Sequence, residues 1–241
     1  MYKAGPYILF IGLFVYLVIV FTFVSAKRGE IKCKGMRVMV QDTVINAFVD
    51  EGDVMRIVRK KYGEIVGRSI TKVDKDSIER LLTGNSVIKS AQVYYSLDGY
   101  FHVEIKQRRP VLRVLNKEGY YVDEDGKIMP LSRKYTSRVV VATGNISKEF
   151  ACEELYPFVM ALRKDKLWDA YVEQIIVNDK REVTLIPKVG NFKIVLGALE
   201  GYEEKMEKLR LFLKEGIARK GWNLYKEINL KFDKQVVCVK K

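Results

Sequence analysis

Histidine occurs once in these 241 residues, cysteine three times and proline five times. A single histidine, His102, removes most routes to nucleophilic catalysis. Ser-His-Asp and Cys-His arrangements both need an imidazole, and the sequence places no partner beside this one. Cys33, Cys152 and Cys238 are odd in number and far apart. No C-x-x-C spacing exists, so neither a zinc site nor a dithiol redox motif is supported. Cys152 and Cys238 read as small buried hydrophobes, and a disulfide is left open. The chain also lacks G-x-S-x-G, a P-loop and G-x-G-x-x-G. Asp123 and Asp125 form a close carboxylate pair, but they flank an Asp-Gly turn, where Asp belongs for structural reasons. The reading is therefore of no enzyme, with no catalytic residue, no cofactor and no metal ligand.

Positive charge is in excess: 43 Lys and Arg against 30 Asp and Glu give +13. The charges are interspersed, and only Arg59-Lys60-Lys61 and Arg108-Arg109 cluster. Nucleic acid, anionic lipid and an acidic protein segment would each answer such a surface. One feature discriminates. Residues 7–24 are an uncharged apolar run, and nothing like it recurs. Roughly 18 residues at about 1.5 Å each approach the thickness of a bilayer core. The expectation is a cytoplasmic tail at 1–6, a transmembrane helix at 7–26 and a linker at 27–35. The competing reading is a signal peptide cleaved near Val24-Ser25-Ala26, against which the length of the run argues. Local charges leave orientation open.

Beyond the linker, patterning predicts a strand at 37–40 and a helix at 53–62 with Val54, Ile57, Val58 and Tyr62 on one face. A second helix is predicted to begin at Asp76, with Glu79 closing a capping box. Two alternating strands then flank Asp98-Gly99, a two-residue hairpin signal. The strand-helix-helix-strand-strand order makes a unit of about 70 residues. Pro110 marks a boundary. Short strands follow at 111–115, 120–123, 127–131, 139–143, 171–177, 181–186, 192–196, 225–232 and 235–239. Helices are expected at 150–164 and 199–217. The fold class is α+β: a small mixed domain at 36–108, then a mostly antiparallel β domain with packed helices at 109–241.

These residues resemble a known family, the bacterial cell-division proteins FtsQ and DivIB, in a Bacteroidetes-like form. The first unit has the element order of a POTRA domain. Gln107-Arg108-Arg109-Pro110-Val111 is similar to the E-R-x-P-v by which the family leaves POTRA. Tyr121-Val122-Asp123-Glu124-Asp125-Gly126 is similar to its v-D-x-x-G strand end. Gln174-Ile175, Leu185-Ile186-Pro187 with Gly190, and the closing 228–232 and 235–238 segments follow in family order. Gln107 stands where many relatives have Glu, which puts an ion pair of Arg108 in question.

The resemblance implies a non-catalytic divisome scaffold in the inner membrane, single-pass, with the large domain in the periplasm. It implies that an FtsB/FtsL-like coiled-coil pair docks on the β domain by strand addition at the C-terminal sheet edge, coupling to septal peptidoglycan synthesis. Other divisome members are expected through POTRA, and nucleic acid is not. The residues expected to carry docking are Tyr225, Ile228, Leu230, Phe232, Lys234, Val236, Val237 and Lys240. Lysines there would guard the edge and select an acidic guest. The alternative is a membrane-anchored periplasmic enzyme or wall-binding module with an unrecognised site.

Overall fold

The computed structural model describes residues 5–43, 46–217, 221–233 and 235–241, with side chains in all but 5–8, 23–30 and 217. The chain opens with helix α1 (Gly5–Glu30), whose described side chains are all exposed. Among the described residues, no helix is long and apolar enough to cross a membrane. This corrects the expectation of a transmembrane helix at 7–26 and the single-pass inner-membrane placement built on it. It also corrects the fold class, which stands as α+β with a POTRA-like unit and a β domain.

The chain divides into two compact units, Met1–Gln107 and Arg108–Lys241. In the first, β1 (Gly35–Val40) lies parallel to β3 (Tyr100–Gln107), and β2 (Ile88–Tyr95) pairs antiparallel on the other side of β3. Two helices cover one face, α2 (Glu51–Tyr62) and α3 (Lys75–Thr83). Asp50 caps α2 through a capping box with Asp53. The expected box at Asp76 and Glu79 is not formed. Asp74 caps α3 by accepting from Ser77 N at 3.1 Å, which leaves Glu79 free for another partner described below. Val54, Val58, Ile78 and Leu82 bury against Val93, Phe101, Val103 and Ile105. The alternation seen in the sequence thus becomes one covered and one open sheet face.

Gln107 closes this unit. Its side chain is buried and anchors the connection between β1 and α2. The amide oxygen accepts from Phe48 N and Val49 N, both at 3.0 Å. The amide nitrogen donates to Asn46 O at 2.6 Å and Gln41 O at 3.4 Å. A glutamate has no donor for those two carbonyls. Gln107→Glu should therefore cost the first unit about 1–3 kcal/mol, the range for a buried group left unmatched. Faster amide exchange at Phe48 and Val49 would register it. The chain's two tryptophans, Trp168 and Trp222, both lie in the second unit, so their fluorescence should report unchanged unfolding there.

The second unit is one nine-stranded sheet in the order β12-β11-β10-β9-β8-β7-β4-β5-β6. Its strands are β4 (Pro110–Leu115), β5 (Tyr120–Asp123), β6 (Ile128–Pro130), β7 (Val140–Gly144), β8 (Val172–Val177), β9 (Val183–Pro187), β10 (Lys193–Gly197), β11 (Tyr225–Asn229) and β12 (Val237–Lys240). The pairs β4/β7, β7/β8 and β10/β11 are parallel and the other five antiparallel. Helices join β7 to β8 and β10 to β11, as parallel crossovers require, whereas β4 reaches its parallel neighbour β7 through β5 and β6. One crossover is a run of α4 (Lys148–Phe150), a π-turn (Ala151–Leu155) and α5 (Tyr156–Lys164), followed by α6 (Lys166–Tyr171). The other contains α7 (Tyr202–Leu211). Phe158, Val159, Leu162, Met206 and Leu209 pack on Val114, Ile175, Leu185, Ile194 and Ile228.

Arg108 and Asp123 fasten the start of this unit. Arg108 Nη1 lies 2.7 Å from Asp123 Oδ2, and the carboxylate is fully buried. The other oxygen, Oδ1, accepts from Asp125 N at 2.9 Å and Lys127 N at 2.8 Å. The Asp of the v-D-x-x-G segment is thus both ion-pair partner and turn anchor, and Gly126 takes the positive φ of 74° that the turn needs.

Candidate functional site

Every interior strand of the nine is paired on both sides, so strand-accepting capacity belongs to the ends. At one end β6 is three residues long and finishes on Pro130, a poor template. At the other, β12 follows β11 in antiparallel register, Asn229 opposite Val237 and Glu227 opposite Val239.

The hydrogen-bond parity of β12 follows from its neighbours. Leu230 N donates to Val195 O at 2.9 Å, so the even-numbered groups of β11 face β10. Glu227 and Asn229 then exchange bonds with Val239 and Val237. Lys241 N donates to Leu224 O at 3.2 Å, which keeps the same odd parity to the end. The main-chain groups of Cys238 and Lys240 therefore point away from the sheet, and none has a partner among the described residues.

The expected docking residues sort into three groups. Tyr225, Ile228 and Leu230 are core residues, 7%, 0% and 0% exposed. Tyr225 and Ile228 share a face despite odd spacing because the β11/β12 register shifts between Tyr225 and Glu227. Phe232, Val237 and Lys240 are exposed, and Val236 packs partly against the core. Lys234 lies outside the described residues. Val239 joins Val237 on the open face at 40% exposure, a side chain that the sequence reading left out. Alternation about the 235–239 run could have found it. Near this end Lys231 is engaged by Glu182 at 2.6 Å and Lys193 by Glu227 at 3.1 Å. Lys208 Nζ donates to Phe232 O at 2.8 Å.

Among the described residues, no reacting group is assembled elsewhere. Burial pushes the thiols of Cys33, Cys152 and Cys238 upward, away from the thiolate that a nucleophile needs. All three are free thiols. Among the described residues, no group of three His, Cys, Asp or Glu side chains could hold a metal. His102 does have a neighbour that sequence did not foresee: Ser96 Oγ lies 3.0 Å from its Nε2, and Tyr94 stacks on the ring at 5.0 Å. Asp98 bonds Ser96 rather than the imidazole, and it also pairs with Arg37 at 3.6 Å. That is not the order in which a triad passes its proton, since the carboxylate must orient the base.

A chain of two units, the second a mixed sheet whose end strand β12 is paired on one side only among the described residues, offers an edge of the kind that accepts a partner strand. Residues 109–239 match the family model described as FtsQ/DivIB, C-terminal related, and residues 31–106 match that of a POTRA-like domain. The chain belongs to the FtsQ/DivIB family, whose members are non-catalytic scaffolds. No curated protein matches it.

Proposed function

We propose that the outer edge of β12 is where this divisome scaffold receives an FtsB/FtsL-like coiled-coil pair, one chain of which adds a strand to the sheet. Docking there would couple the scaffold to septal peptidoglycan synthesis. The observation that carries the reading is the row of outward, unpartnered main-chain groups at Cys238 and Lys240. Strand addition draws its affinity from such groups and its specificity from flanking side chains. Val237 and Val239 offer an apolar strip beside the edge, while Lys240 and Lys241 stand exposed at its end. The fitting guest is a strand with apolar residues at alternate positions and an acidic residue near Lys240.

Full-length chain titrated with an FtsB/FtsL-like pair tests this. Lys240→Glu should lower the association rate several-fold at low salt and flatten its salt dependence, with little change in dissociation. Absence of any complex with the unmodified chain would overturn the reading.

A further inference from the structure

The first unit has a strand edge of its own. β2 is the outer strand of the order β1-β3-β2. Its register with β3 is regular from Ser90 to Tyr95. Ser96 N donates to Tyr100 O at 3.0 Å, so even-numbered residues bond β3 and odd-numbered ones face outward. Ala91, Val93 and Tyr95 thus present main-chain groups to the outside. Those of Ala91 and Tyr95 have no partner among the described residues. Val93 is different: its amide donates to Glu79 Oε1 at 2.6 Å, a side chain reaching across from α3.

The segment Ser90-Ala91-Gln92-Val93-Tyr94-Tyr95 holds no charge and no proline. It is β-prone and lacks the usual devices that keep an edge from pairing with another chain. Its outward set is also self-complementary. A second copy turned antiparallel about Val93 would set Val93 against Val93 and Ala91 against Tyr95, a closed two-fold arrangement. We propose that Glu79 is an edge guard: by occupying the central outward amide of β2 it keeps this edge from pairing with the same edge of a second copy. A guest strand must first displace the carboxylate, and it must then bury that charge beside its own backbone. The sequence had given Glu79 a capping role, which Asp74 and Ser77 fill instead.

Sedimentation velocity of the full chain, with the apolar side chains of α1 covered by a mild detergent, tests the proposal. Glu79→Ala should self-associate at concentrations at least tenfold below those needed by the unmodified chain. Ala91→Pro added to Glu79→Ala should reverse this, because it removes an outward donor and no bond to β3. Glu79→Gln keeps an oxygen for Val93 but lacks the charge, and should self-associate at concentrations between those of Glu79→Ala and the unmodified chain. Should Glu79→Ala lose its far-UV circular dichroism, Glu79→Met retains the apolar stem and is read in the same way. A folded Glu79→Ala or Glu79→Met that sediments like the unmodified chain overturns the proposal. So does association that Ala91→Pro leaves in place, or association of Glu79→Gln equal to that of Glu79→Ala.

Discussion

Asp123→Ala should destabilise the second unit by about 3–5 kcal/mol, the range for breaking a buried ion pair from one side. Two separate losses feed that figure. Arg108, whose side chain is 16% exposed, is left without its carboxylate 2.7 Å away. The amides of Asp125 and Lys127 lose their shared acceptor. Arg108→Ala should cost less, because Asp123 keeps both amide donors when the guanidinium is gone. Asp123→Asn should fall between, retaining an oxygen for the amides and losing the charge. Urea unfolding followed by Trp168 and Trp222 fluorescence reads this unit alone, since both tryptophans belong to it. A shift below 1 kcal/mol for Asp123→Ala would show that the pair is a bystander. The two single variants with the double variant form a cycle, and positive coupling there is the direct signature of the pair.

This same pair shows where sequence reasoning reached and where it stopped. The Asp-Gly turn at 125–126 was legible because a positive φ leaves few residue choices. That Asp123 would be fully buried on Arg108, fifteen residues earlier, was not, because no periodicity encodes a contact between two strand ends. Gln107 repeats the lesson. Its replacement of the usual glutamate put the neighbouring arginine's ion pair in question, yet the pair forms with Asp123, and Gln107 serves two carbonyls of an unrelated loop. The element order of the first unit was readable because burial on one face imposes a 2.0 or 3.6 period. The parallel pairs β4/β7, β7/β8 and β10/β11 were not, since strand order across long connections depends on how the intervening strands or helices pack. In the candidate docking region, alternation assigned Ile228 and Leu230 to one face and Tyr225 to the other. The register shift after Tyr225 brings it to the core side, and a one-residue irregularity of that kind has no signal in a single sequence. The apolar run at 7–24 illustrates the reverse hazard. Its composition spoke for a span, whereas among the described residues no helix is long and apolar enough to make one.

The β12 edge makes a prediction that depends on one residue of parity. Val237 bonds inward to Asn229, whereas Cys238 points its amide outward. Proline at each position removes a single donor, but from opposite sides of the same strand. Cys238→Pro should take away a donor that a guest strand uses and set the pyrrolidine ring against it. An acceptor left unmatched in the guest costs roughly 1–3 kcal/mol, so affinity for an FtsB/FtsL-like pair should fall about 10- to 100-fold. The Cys238 side chain packs partly against the core, and Cys238→Ala isolates that contribution; it should bind nearly as the unmodified chain does. Val237→Pro should break the ladder to β11, lowering the urea midpoint as well as binding, because the edge itself comes loose. Strand addition therefore predicts a dissociation between the two prolines: one loses binding with the fold largely kept, the other loses both. A folded Cys238→Pro that binds at full affinity would place docking elsewhere. The open sheet face of the first unit, where Arg37, His102 and Tyr94 stand in register and Tyr100 lies under the Arg37 guanidinium, would then be the surface to test.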